Sequence, residues 1–435
     1  LGISGKLVGI ELSPSRQRRI VREAFGLGRA LIVQGVVQLL TAGSGILIVR
    51  ALSTGDYAYY TIGASAITAV AALTNGGILD GVTALGARDR FNFVHLAALV
   101  RAALSLRIVM ALTVAVPVLV STVWMLVQNG APVGTIIPLV AAVSLVSLGE
   151  LNYSILHLIP WLQGRVDELQ TIELQGALTR FGLCAIVPLL MPRADLAVLC
   201  AAIAFALQVY LLRRRTRLAA AEPSLARETA LKHSLGFVLK RQWLNDLNGL
   251  AQSQVSLWLL TAFATSADVA AFGALGRVTL VFTIILQALH RTMLSRYAVL
   301  QDRQAATQVY GIVVGLFIAV AAVPLAVCIA FPDTVLTVFG PNYAGLTLEF
   351  RLFCVNVLLG SLATLTLWLN TTRAWIMPSA FRCLYQTGFL LGFVMLFGAG
   401  TLKGVILAGI GVNFMLVLAN AGYSLSRFRR MQDIV

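Results

Sequence analysis

Three arginines, Arg180, Arg277 and Arg351, stand deep inside apolar stretches of this 435-residue chain. Two more, Arg50 and Arg107, stand near the ends of such stretches. A guanidinium at the centre of a membrane helix costs about 2.5–3.5 kcal/mol on insertion scales. The deep ones must therefore face a wet cavity or a polar partner, and in a cavity they offer forked recognition of phosphate or carboxylate. The competing reading is an ion pair between helices, with Asp80, Glu150 or Glu349. Glu349 and Arg351 are two apart on one helix and so do not face each other. Arg50 and Arg107 can instead snorkel to the headgroups.

Amides supply the second kind of chemistry. Gln34, Gln38, Thr41 and Gly45 follow at intervals of 4, 3 and 4, and Asn245, Asn248, Gln252 and Ser256 at 3, 4 and 4, so each set occupies one helix face. Amides facing lipid are costly. The two stripes are expected to look into one cavity, or else to join packed helices. The stretch "LTNGGILDG" (73–81) adds a flexible polar spot with Asn75 and Asp80. The candidate substrate-binding set is thus Gln34, Gln38, Arg50, Asn75, Asp80, Glu150, Arg180, Asn248, Gln252, Arg277 and Arg351. His157 and His290, at helix ends, read as satisfied or solvated side chains rather than proton relays. The five cysteines form no CxxC pair and have no histidine cluster beside them, so they read as packing residues. We expect no metal, no cofactor and no catalytic residue: there is no GxSxG, HExxH or glycine-rich phosphate loop.

The elements that position these residues are membrane helices. Only 12% of residues are charged and 58% are apolar, against roughly 25% charged in soluble domains, and the mean hydropathy is +0.86. Crossing an apolar core of about 30 Å takes roughly 20 helical residues. Twelve runs qualify: 30–50, 58–87, 104–127, 134–160, 172–190, 196–212, 243–263, 270–290, 309–331, 346–369, 378–399 and 404–423. Pro117, Pro138, Pro188 and Pro324 are candidate kink sites. Of the 33 basic residues, 26 fall in loops on one side and only Arg193 and Lys403 in loops on the other. That bias places both termini in the cytoplasm. It also removes nucleic acid as a reading of the net charge of +15, since the charge is spread over many short loops. The basic stretch "SPSRQRRIVREAFGLGR" precedes a full span, so no cleavable signal peptide is expected.

The chain repeats itself. "LSTGDYAYYTIGAS" (52–65) is echoed by "FATSADVAAFGALGR" (263–277), an offset of 212 residues from Asp56 to Asp268. "WLQGR" (161–165) is echoed by "WLNTTR" (368–373). Both pairs fall at matching topological positions. This predicts two six-helix halves in the same orientation, 1–212 and 243–435, joined by a basic cytoplasmic linker, 213–242, and related by an axis along the membrane normal.

These stretches resemble a known family. "VRALSTGDYAYYTIGAS", "WLQGRVDELQTIELQG" and "VFGPNYAGLTLEFRLF" are similar to segments of the bacterial polysaccharide flippases (Wzx-type) of the multidrug/oligosaccharidyl-lipid/polysaccharide exporter superfamily. So is "LLTAFATSADVAAFGALGRVTLVFTIILQALHRTMLSRYA". The likeness runs in order along nearly the whole chain. One departure concerns the seventh helix, where an Asp usual before the outer turn is replaced by "QVSLWLL". The resemblance implies an all-α, V-shaped, MATE-like fold of twelve transmembrane helices in two lobes around a cationic cavity. It implies a flippase of the bacterial cytoplasmic membrane, not an enzyme, that carries polyprenyl-pyrophosphate-linked oligosaccharide outward for exopolysaccharide assembly. Membrane lipids and the polysaccharide polymerase and export machinery are its implied partners. A cation-coupled multidrug exporter shares the architecture, but it commonly carries an Asp or a kinking Pro in the first helix, and "LIVQGVVQLLTAGSGILIV" has neither. A membrane-embedded glycan polymerase or ligase would need a large outer loop, and no outer loop here exceeds about 14 residues.

Overall fold

A computed structural model describes residues 14–75, 77–89, 91–216, 224–294, 297, 300, 302–373, 375, 377 and 379–431. All twelve expected runs fall on helices. In the first half these are α1 (Pro14–Ala51), α2 (Thr54–Asn75), α3 (Ile78–Arg88), α4 (Phe93–Gln128), α5 (Val133–Leu156), α6 (Leu158–Leu162), α7 (Val166–Leu190) and α8 (Ala194–Thr216). The second half holds α9 (Leu225–Phe263), α10 (Ser266–Leu275), a 3-10 turn (Gly276–Val278), α11 (Thr279–Leu289), α12 (Arg303–Ala330), α13 (Pro332–Phe339), α14 (Thr347–Thr372), α15 (Ser379–Phe397) and α16 (Leu402–Phe428). Among the described residues eight helices are long and apolar enough to cross a membrane, or nine if α2 and α3 count as one bent span. The chain is a multi-pass membrane protein.

Three expected boundaries shift. The run 58–87 bends by 49° between α2 and α3, at Gly77, whose φ of 73° lies in the left-handed region that glycine adopts without penalty. The sequence marked "LTNGG" as a flexible polar spot but placed its expected kinks at prolines elsewhere. The run 270–290 is divided by the 3-10 turn that carries Arg277. The expected linker is not a free connection: residues from Leu225 onward are already helical and continue unbroken into the seventh span. Leu231 and Leu235, one turn apart, are buried against Leu96, Leu99 and Ile155 in a cluster of the first half.

The echoed stretches prove to be the same helix start made twice. The Ser53 hydroxyl donates to the Asp56 carboxylate at 2.7 Å and accepts from the Asp56 N–H at 3.1 Å, at the N-terminus of α2. Thr265 and Asp268 form a reciprocal capping box at the N-terminus of α10, which satisfies two N–H groups that have no partner within the helix. Asp268→Ala is expected to cost about 1 kcal/mol, read as a fall of about 2 °C in the melting temperature in detergent.

The repeat extends to packing. Within the halves α5 pairs with α8 as α14 does with α16, α7 with α8 as α15 does with α16, and α4 with α5 as α12 does with α14. Where the halves meet, α2 crosses α10 at Thr61 and Gly273, and a Cβ on Gly273 would collide with the threonine side chain. These two residues are again 212 positions apart, so equivalent points of the two halves touch each other, as a two-fold relation requires.

Candidate functional site

Near the end that carries the few-charge loops, α2 of the first half packs on α10 of the second. On one flank of the α2–α10 crossing, Ser65 donates to the Gln254 side-chain oxygen at 2.7 Å. On the other flank stands Arg277. Its Nε and Nη2 lie 3.4 and 3.3 Å from the Tyr57 hydroxyl, and its guanidinium carbon lies 5.7 Å from the centre of the Tyr60 ring. The face of the guanidinium rests on α1 at Gly45, where even a methyl group would come within 3.0 Å of Nη1. Glycine at position 45, the last member of the first polar stripe, is what admits the arginine. None of the ion pairs among the described residues includes Arg277 or Arg180.

Below this clamp, inside the first half, α1, α5, α7 and α8 enclose a cavity of about 240 Å³. Its polar lining is Gln34, Thr41, Tyr153, Glu173, Arg180 and Gln208. Helical spacing explains the set: Gln34 and Thr41 are seven apart on α1, and Glu173 and Arg180 seven apart on α7, so each pair shares a face. The Tyr153 hydroxyl points to the Glu173 carboxylate at 3.4 Å. Gln208 packs its amide over Gly176, where no side chain would fit. The buried Nε of Arg180 makes no hydrogen bond. The cavity wall thus holds one guanidinium, Arg180, and one carboxylate, Glu173.

The expected residues scatter more than the stripes suggested. Gln34 and Arg180 line the cavity, Arg277 sits against Gly45 and Tyr57 at the crossing of the halves, and Glu150 is half-buried on α5. Gln38 is half-buried on α1 without lining it. Asn75 accepts from the Leu79 N–H at 3.4 Å and so supports the start of α3 across the bend, while Asp80 is exposed there. Arg50 is exposed and donates to the carbonyls of Val338 at 2.8 Å and Thr337 at 2.7 Å, tying α1 to the end of α13. Arg351 does not sit deep. It is exposed and donates to the Ile329 carbonyl at 3.2 Å, near the end of α12. Arg107 does not snorkel: it is 2% exposed, bonded to the carbonyls of Thr74 and Leu151 and to the Ser154 hydroxyl. The side chains of Asn245, Asn248 and Gln252 lie outside the described residues. Four described asparagines of the second half are engaged within it. Asn370 donates to the Asn420 carbonyl at 3.2 Å and accepts from Ser424 at 2.7 Å, while Asn356 accepts from Asn413 at 2.9 Å. Glu173, Gln208 and Tyr153 were missed. The signal for Glu173 was its place two turns before Arg180.

No protein-family model matches the chain, and no curated protein matches it in sequence. Solved structures do match in fold. An inward-facing conformation of a multidrug resistance MATE family transporter of the MOP superfamily superposes with a TM-score of 0.72 at 14% identity, over 92% of this chain and 98% of that one. An outward-facing conformation of such a transporter gives 0.65 at 16% identity, over 92% and 94%. A MOP superfamily transporter from Pyrococcus furiosus, described by the reverse polarity of its binding pocket, gives 0.67 at 14% identity over the same shares. The chain has the two-lobed, all-helical fold of the MATE transporters of the MOP superfamily.

Proposed function

We propose that this protein is a flippase for polyprenyl-pyrophosphate-linked oligosaccharide, carrying it from the cytoplasmic to the outer leaflet of a bacterial cytoplasmic membrane by alternating access. The observation that carries this reading is a pair of arginines, one from each half, with no ion-pair partner among the described residues: Arg180 in the cavity wall, its buried Nε unbonded, and Arg277 at the crossing of the halves against Tyr57 and Gly45. A pyrophosphate cannot enter hydrocarbon unaided, because the Born cost of an unpaired anion is tens of kcal/mol. Two guanidiniums pair with it in fork geometry, and the amides of Gln34 and Gln208 offer hydrogen bonds to sugars. An inside-negative potential assists outward movement of an anion by about 2.3 kcal/mol per charge per 100 mV. The clamp at Gly45, Tyr57 and Tyr60 would release when the halves rock open, delivering the headgroup outward.

One observation favours a second reading, a cation-coupled multidrug exporter. Glu173 places a carboxylate in the cavity, and two of the fold relatives are described as multidrug resistance transporters. A strain lacking the gene separates the two. Loss of surface glycan with accumulation of the lipid-linked repeat unit on the inner leaflet is expected. Normal glycan with heightened sensitivity to cationic drugs would replace the flippase by the exporter.

A further inference from the structure

A second cavity, of about 580 Å³, lies at the basic end of the first half, far along α8 from the arginine clamp. It is lined by Phe93, Arg165, Leu211, Arg214, Arg215 and Thr216. Arg165 is held by Glu168, Nε to Oε1 at 2.9 Å and Nη2 to Oε2 at 2.5 Å, so those charges cancel. Neighbouring Arg213 is turned away to the Asn152 side chain at 3.2 Å. Arg214 and Arg215 make no hydrogen bond or ion pair with any described residue, and both line the hollow. The Thr216 hydroxyl, which donates to the Leu212 carbonyl at 2.8 Å, closes its floor. Phe93, Phe91 and Trp161, each half-exposed or more, stand around this end of the bundle at 51%, 67% and 50%. Aromatic rings so placed mark the headgroup level of a bilayer.

From this geometry we infer a binding site for a lipid headgroup that carries two phosphate charges, in the leaflet on the basic side. A cavity of this size admits two phosphates. The two lining arginines match two negative charges, where a single phosphodiester would leave one unpaired. Phe93 and Leu211 offer an apolar edge to the first methylenes of the chains. Two sources share this chemistry: a membrane phospholipid with two phosphodiesters, and a pyrophosphate lipid waiting on the same leaflet.

The test is lipid binding by native mass spectrometry of the full chain in detergent. The probes are tetraoleoyl cardiolipin, undecaprenyl pyrophosphate, phosphatidylglycerol and phosphatidylcholine. Wild type is expected to hold one or both two-phosphate lipids at least about tenfold more tightly than phosphatidylglycerol. The R214Q/R215Q variant should lose that preference. The R429Q/R430Q variant, which removes the same charge from the same side of the bundle, should keep it. Which two-phosphate lipid binds identifies the source. Equal binding of phosphatidylglycerol, or an unchanged R214Q/R215Q variant, overturns the inference, as does an equal loss in R429Q/R430Q. Binding in detergent needs no transport, so this result stands or falls apart from the proposed export activity.

Discussion

Arg277→Ala is expected to lower glycan export at least about tenfold while protein abundance in the membrane stays near normal. The residue joins the halves through Tyr57 and Gly45, so its loss removes a contact between them and, under the proposed function, a partner for the pyrophosphate. Tenfold corresponds to about 1.4 kcal/mol, within the range for one charge-assisted hydrogen bond. Arg277→Lys should rescue poorly. A flat guanidinium rests on Gly45 and reaches the tyrosine hydroxyl through two nitrogens, whereas an ammonium is a compact point charge on a flexible stem. Gly45→Leu should reproduce the defect from the other side of the contact, because the new side chain would occupy the space of the guanidinium. Accumulated lipid-linked repeat units and surface glycan, normalised to an immunoblot, give the readout. Normal export from Arg277→Ala at wild-type abundance would remove this residue from the mechanism.

Much of this arrangement was readable in the residues, and the misreadings have a common cause. The flexible spot at Gly77, the duplicated helix starts at Ser53–Asp56 and Thr265–Asp268, and the polar face of α1 all rest on local rules: glycine conformation, capping and helical spacing. Those rules act within a few residues, so the sequence displays them. Arg50, Arg107 and Arg351 were harder to place because all three end on backbone carbonyls of other helices. A carbonyl carries no residue identity, so no pattern announces such a partner. Their neighbours in sequence suggested lipid headgroups, carboxylates or a cavity instead. Arg277 is the contrasting case. Its partners, Gly45, Tyr57 and Tyr60, lie in the polar stripe of α1 and in the echoed turn, both of which stood out before any geometry was known. What sequence could not show is that the stripe splits, with Gln34 and Thr41 turned into the first half and Gly45 turned toward the second.

Arg107 leads to the other large expectation, one about stability rather than export. It is nearly inaccessible, at 2% exposure, yet it meets no carboxylate in an ion pair among the described residues. Its Nε lies 3.3 Å from the Thr74 carbonyl, and its Nη1 meets the Leu151 carbonyl at 3.2 Å and the Ser154 hydroxyl. Thr74 is the penultimate residue of α2, where the turn at Gly77 interrupts the ladder of backbone hydrogen bonds. An unsatisfied carbonyl inside a membrane protein is costly, and Arg107 supplies the missing donor while bridging to α5. Arg107→Leu keeps much of the volume but strips the donors, and is expected to cost about 3 kcal/mol. That should appear as a fall of about 5 °C or more in the melting temperature in detergent and as reduced accumulation. Arg107→Lys should recover only part of the loss, since a single ammonium cannot span acceptors on α2 and α5 together. Export per folded molecule should remain near wild type in both variants, the opposite of the Arg277 pattern. A melting temperature within about 1 °C of wild type in Arg107→Leu would mean that the bend between α2 and α3 is held by something other than this guanidinium.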